Sequence, residues 1–297
     1  MDPDILTGQS LGMLAMDLAI VFLVLLLIRF LYGITTGVKT TQELAVKDNF
    51  AIGISLAGAT AGIAIMLTGV LSGGYAATFA AEAGAMAAYG ALGLVLMWLT
   101  RLIFDKVSLP ALSVGKELGD GNVAVGVVDA GNLLATAIMV RAVMVWSDDA
   151  LVAGLIAVLV GYVVSQVILT ATAYYRIWLF RTRMGGDKFH EVVQSGNIAV
   201  ALRFAGFQIG VALAVTAASG IAPYSTGGNP ILQALTWGAL SVGVTVVLVL
   251  LTLIAERFVL AGIDLSEEVD RQRNVGVALM EMAVYVAVGL VLLSQVA

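Results

Sequence analysis

The chain has 297 residues, 60% of them hydrophobic and only 12% charged, with a mean hydropathy of +1.02. A soluble domain of this size needs far more polar surface, and continuously apolar runs argue against a β-barrel. With no cysteine, one loop histidine (His190) and a net charge of −5, the sequence excludes disulfides, thiolate or intramembrane histidine metal centres and a Ser-His-Asp triad. No basic run points to nucleic acid, and nothing calls for a cofactor.

Eight apolar spans follow in chain order: about 11–34, 50–72, 83–104, 122–146, 150–176, 197–220, 231–257 and 274–296. Each meets the roughly 20 residues that cross a bilayer. The chain is therefore read as an all-α polytopic membrane protein of eight transmembrane helices in the lipid bilayer. The start, MDPDILTGQS, lacks the positive region of a cleaved signal peptide, so the first span is expected to be retained. The third begins as a weak Ala/Gly-rich helix and strengthens only at LVLMWLTRLIF.

Thirteen of the 15 Lys and Arg residues lie at the loops and helix ends that follow spans one, three, five and seven. The opposite side shows only acids: Asp2, Asp4, Glu82, Asp148 and Asp149. The positive-inside rule then puts the basic side in the cytoplasm and both termini outside. Trp98, Trp146, Trp178 and Trp237 fall near span ends, where interfacial anchors are expected. Asp148–Asp149 reads as a solvated turn between halves, and Gly73–Gly74 and Gly227–Gly228 as flexible outer turns.

One pattern is written four times: ELAVKDNFAIGISLAG, ELGDGNVAVGVVDAG, EVVQSGNIAVALRFAG and EVDRQRNVGVALMEMA. Its asparagines, Asn49, Asn122, Asn197 and Asn274, suit N-caps where helices enter lipid. Its loop acids are Glu43, Glu117, Glu191 and Glu268. Small residues recur at positions four, nine and thirteen after each asparagine, a spacing that lets helices approach closely. Each odd span ends near an arginine, Arg29, Arg101, Arg176 or Arg257, expected to snorkel to headgroups or to pair with the repeat glutamates. The unit is a helical hairpin. Four such units in one orientation are parallel repeats, grouped as two tandem four-helix domains, 1–147 and 148–297. The four hairpins could surround a pseudo-symmetric axis.

The Glu…Asn-x-Ala preamble and the AG-x-x-x-G helix, repeated in tandem, resemble the YjfL-like bacterial inner-membrane proteins (domain of unknown function 350), here as two fused copies. The resemblance implies a bacterial inner-membrane location and, loosely, envelope or membrane-stress contexts. It implies no activity.

Ionisable groups inside spans mark function or specific pairing. Arg203, Asp129 and Glu281 lie six or seven residues inside the basic ends of their helices, about 10 Å deep at 1.5 Å per residue. They form a candidate ion or solute layer, with Asn132 one turn beyond Asp129. The plainer alternative is that Arg203 neutralises Asp129 or Glu281. Asp17 and Arg141 form an expected second pair near the outer side. Gln166 and Gln208 would line a polar interior or bond between helices.

No enzyme motif is present. Two acids for one arginine leave a surplus carboxylate, which favours a small-ion, proton or small-solute channel or transporter. The alternative is a structural or adaptor protein that recruits a cytoplasmic partner through its loops. Small-residue faces would serve a homo-oligomer as well as the monomer. The topology has a direct test: a periplasm-active reporter fused after Ala297 is expected to be active, and an inactive one overturns the orientation.

Overall fold

The computed structural model describes residues 8–73, 76–147, 151–225 and 227–296. Asp2, Asp4, Gly74 and the Asp148–Asp149 turn lie outside them. Among the described residues eight helices are long and apolar enough to cross a membrane. They are α1 (Gly8–Thr36), α3 (Phe50–Leu71), α4 (Phe79–Ile103), α6 (Val123–Trp146), α7 (Leu151–Arg183), α9 (Ile198–Ile221), α10 (Pro230–Val259) and α11 (Val275–Val296). Three six-residue helices lie in the loops before the asparagines: α2 (Thr40–Ala45), α5 (Val114–Gly119) and α8 (Phe189–Gln194). A π-helical turn, Ser266–Arg271, takes that place in the fourth repeat, and another, Phe104–Ser108, extends α4.

The four asparagine-led helices, α3, α6, α9 and α11, stand side by side in that order. They run parallel, with all four caps at one end, and they form an open row. Among the described residues α3 and α11 share no extensive packing, so the hairpins do not close around an axis as the repeat alone would allow. Each helix that precedes a capped helix packs beside it. α4, α7 and α10 also lie against the preceding member of the row. The junction between the two halves, α6 against α9, is built like those within each half.

Small residues decide the spacing of the row. A Cβ added to Gly126 would stand 2.6 Å from the Ala51 carbonyl oxygen, and one on Gly131 would stand 2.8 Å from the Ala205 Cα. Both neighbours are backbone atoms of the adjoining helix, which cannot swing aside, so only glycine fits. Close approach leaves little space for lipid, and α6 and α9 are buried along most of their length. Trp146 and Trp237 depart from the expected role of interfacial anchors. Trp237 is fully buried, and the two rings stack at 6.0 Å with Tyr224 edge-on to Trp146. Both rings cover the uncapped end of α9, where Trp146 Nε1 donates to the Ala222 carbonyl. Trp98 and Trp178 stay exposed.

The capped end is one device used four times. Each asparagine Oδ1 accepts from the amide three residues on: Ile52, Val125, Val200 and Val277. The residue before each asparagine, Asp48, Gly121, Gly196 or Arg273, has φ between 50° and 81°. That left-handed residue ends the preceding short helix and turns the chain at once into the next. Three side-chain amides then reach onward to the following repeat: Asn49 to the Leu118 carbonyl, Asn122 to Val193 and Gln194, and Asn197 to Asp270. Three loop acids brace their own caps, Glu43 to Asn49, Glu117 to Asn122 and Glu268 to Asn274. Lys47 and the Asn49 amide hold the Glu43 carboxyl below its ordinary range. Glu191 differs, pairing locally with Lys188.

Replacing a cap asparagine with alanine costs about 1 kcal/mol for the cap alone. Asn122 and Asn274 each add a bond to their own glutamate, and Asn122 alone carries two more to the next repeat, each bond worth about 1 kcal/mol. Asn122→Ala is therefore expected to lower stability by about twice as much as Asn274→Ala, read as thermal unfolding in detergent.

Candidate functional site: two separate buried charge clusters

Asp129, on α6, is fully buried seven residues past its cap. Its Oδ2 accepts from Arg101 Nη2 at 2.9 Å and from the Ser55 hydroxyl. Arg101 Nη2 also donates to Ser55 Oγ at 3.0 Å, and the guanidinium lies 4.3 Å from the Tyr32 ring centroid. The Tyr32 hydroxyl donates to Ser55 at 2.8 Å. This cluster draws one residue from each long helix of the first half: α1, α3, α4 and α6.

The second half repeats the position with different chemistry. Arg203, six residues past Asn197, occupies the place of Ser55, and Glu281 occupies the place of Asp129. Arg203 Nε donates to Glu281 Oε2 at 2.5 Å, Nη1 to Asp270 Oδ1 at 2.6 Å and Nη2 to the Leu265 carbonyl at 3.0 Å. Glu281 Oε1 accepts from the Tyr285 hydroxyl at 3.3 Å, which itself accepts from Arg176 Nη1 at 3.0 Å. Arg176 also lies 4.8 Å from the Phe207 ring centroid. In both halves a carboxylate on the later helix meets a polar group on the earlier one; in the second half the paired arginine moves to that earlier helix, and Asp270 joins as a second acid.

The single layer expected of Asp129, Arg203 and Glu281 is thus two sites, and Arg203 pairs with Glu281 and not with Asp129. The position six past Asn122 is Val128, and seven past Asn197 is Phe204, both buried. The middle junction therefore carries no charge at this depth, and the clusters are kept apart. The surplus acid of the sequence count disappears in the first half, because Arg101 is a full partner. Its missed role has a physical cause. The helix does not end at 104 but continues through the π-helical turn to Ser108. Seven residues separate Arg101 from that end, so it lies as deep as Asp129, about 10 Å in. Likewise α7 runs on to Arg183, which places Arg176 seven residues inside rather than at a headgroup. Of the four odd-helix arginines, none bonds a repeat glutamate among the described residues; Arg29 donates to Thr41. Asp270, in the π-helical turn, gave no sequence signal because its burial comes from neighbouring helices.

Asp17 and Arg141 do not pair. Arg141 Nε donates to Thr68 on α3 at 2.8 Å. Asp17 is buried with neither oxygen hydrogen-bonded, and its ionisable neighbour is another acid, Glu82. Equal depth did not imply a shared face: α1 turns Asp17 toward α4, and α3 stands between it and α6. Asn132 is buried beyond Asp129 with its amide nitrogen unbonded. Gln166 joins α7 to Thr136 of α6, and Gln208 joins α9 to Thr172 and the Leu169 carbonyl of α7. Both bond between helices.

The spaces among the paired charges are small, whereas one of about 720 Å³ lies at the edge of the second cluster, along Glu256 and Leu265. One of about 20 Å³ lies along Tyr32, Arg101 and Leu133. One of about 10 Å³ lies along Arg176, Arg183 and Arg203. Each of these two small spaces holds about one water. Among the described residues no group of acids and histidine is placed to hold a metal ion.

Removing one partner of a buried pair strands the other, at a cost of about 3–5 kcal/mol. Asp129→Asn is expected to destabilise by that order, and Arg101→Met combined with Asp129→Leu to recover most of it. Glu281→Gln is expected to cost less, since Arg203 keeps Asp270. Thermal unfolding in one detergent checks all three.

The family model described as Domain of Unknown Function (DUF350) matches the chain twice, over residues 6–144 and 150–296. No curated protein and no solved structure matches it.

Proposed function

The chain belongs to the DUF350 family, as two tandem copies in one multi-pass membrane protein, and we propose that it works as a structural or adaptor element of the bacterial inner membrane. In this reading the capped end faces the cytoplasm and both termini face outward. Support comes from the thirteen basic residues on the capped side.

The observation that carries the reading is that each buried arginine of the two ion-paired sites meets an acid within its own half. Arg101 and Asp129 neutralise each other, and Arg203 spans Glu281 and Asp270. Between their charged groups there is room for single waters, and the wider space of about 720 Å³ at the edge of the second cluster lies along α10 and the loop after it, at Glu256 and Leu265. Charges arranged this way fix which helices meet. A partner would then meet the capped face, where each repeat presents a local ion pair: Lys47–Glu43, Lys116–Asp120, Lys188–Glu191 and Arg271–Glu267. Such a mixed surface suits a partner of mixed charge.

One observation favours the second reading, ion or proton transport. Asp129 Oδ1 and Asp270 Oδ2 are buried without hydrogen-bond partners, and unpaired carboxylate oxygens could accept a proton. Flux in proteoliposomes separates the two. The structural reading expects wild-type vesicles to hold proton and monovalent-cation gradients as well as protein-free ones. A gradient-driven flux that Asp129→Asn or Glu281→Gln abolishes would overturn it.

A further inference from the structure

We propose that copies of this chain associate head to tail, α11 of one molecule against α3 of the next, so that the row of capped helices continues from molecule to molecule. The occupant of the exposed α11 face is thus a second copy of the chain. The argument is continuity with a junction that the chain itself builds three times.

Counting from each asparagine, position nine of one capped helix meets position eight of the next: Gly58 with Ala130, Gly131 with Ala205, and Gly206 with Met282. At the capped end, each of the first three asparagines donates to the carbonyl four residues before the next one, at Leu118, Val193 and Asp270. The junction is directional, because the two helices contribute different positions.

Both halves of that junction stand open at the ends of the row. On α11, positions two, nine, thirteen and twenty are Gly276, Ala283, Ala287 and Ser294, all small and all exposed. The same positions on α3, Ala51, Gly58, Gly62 and Gly69, are buried against α6. On the far side of α3, Ala57 at position eight and Ala61 at position twelve are exposed, with Gly53 and Ala64 half-buried in the same stripe. Position eight is where the later helix of each junction is met. The free end of the row therefore offers position nine and the free start offers position eight. Asn274 completes the pattern. Its amide braces Glu268 but, alone among the caps, makes no onward bond among the described residues. In the proposed contact it reaches the Ala45 carbonyl of the neighbouring molecule, four residues before that molecule's Asn49.

The flanking helices leave room. α4, α7 and α10 each lie between their own capped helix and the preceding one. α1 packs on α3 in the same way, and its other side carries exposed Phe22, Leu26 and Phe30, facing where α11 of the neighbour would stand. Small residues aimed at fluid lipid give no packing advantage, whereas against another helix they allow close backbone approach. A contact between unlike faces is heterologous and produces a ring or a continuing row rather than a two-fold dimer.

The absence of native cysteine makes the test direct. Two differently tagged copies are co-expressed, one with Ala57→Cys and the other with Ala283→Cys, and membranes are oxidised. The expected result is a disulfide between the two tags, and a ladder of higher species when both substitutions share one chain. No mixed cross-link, or a dominant 57–57 or 283–283 product, would overturn the proposal. As a second measurement, light scattering in mild detergent is expected to give wild type and a lipid-facing control, Val163→Trp, above monomer mass and Ala283→Trp at monomer mass. A monomeric wild type that also fails to cross-link in membranes, or an Ala283→Trp protein that keeps its mass, counts against it. These readouts do not depend on flux or on any partner at the capped face.

Discussion

The start of a helix inside a membrane leaves backbone N–H groups without partners, and lipid supplies none. Four parallel helices beginning at one level pose that problem four times, with their positive dipole ends side by side. The asparagines answer it with a single side chain. The oxygen accepts from the helix's own backbone, and in three repeats the amide donates to the next repeat's carbonyl. The cap is thereby also the joint between hairpins. A serine or threonine cap could satisfy the first need, but its single hydroxyl lacks the separate amide that makes the second bond. Glutamates beside three of the caps place negative charge where the dipoles favour it.

The rest of the fold follows from that joint. Once the capped ends are tied at fixed spacing, the helices above them must approach closely, and the glycines at Gly126 and Gly131 make this possible. Closely packed small residues leave α6 and α9 with almost no lipid-facing surface, so polar groups on them must be satisfied within the protein. The two charge clusters do so near one level, about two turns above the caps. Ser55 and Arg203 show how the same position tolerates different chemistry. With serine there, α4 supplies the arginine; with arginine there, the charge is local and the π-helical turn adds Asp270.

Much of this was legible in the chain. Span number, the repeat, the orientation of its units and the caps can be read because they depend on local composition and on fixed distances along the sequence. Asp129 and Glu281 stand out for the same reason, as charges inside apolar runs. So does Arg203, the partner of Glu281, but the other partners do not. Arg101 looks like a helix-end residue until the π-helical turn is seen to carry the helix four or five residues further. Asp270 lies in an ordinary charged loop. Asp17 and Arg141 look matched by depth, yet depth says nothing about which face of a helix a side chain occupies or what stands between.

The sequence by itself determined that this is a membrane protein of eight spans, built from four parallel hairpins with asparagine entry points and small-residue faces. Periodicity and hydropathy are properties of one helix in its solvent, and they survive without knowledge of neighbours. Only the tertiary structure decided that the capped helices form an open row and not a ring, that the charges divide into two clusters with an apolar junction between them, and that Trp146 and Trp237 pack on each other. Those outcomes depend on the rotation of each helix about its axis and on the spacing the glycines permit. They are set by contacts between residues some 70 positions apart, which no local pattern records.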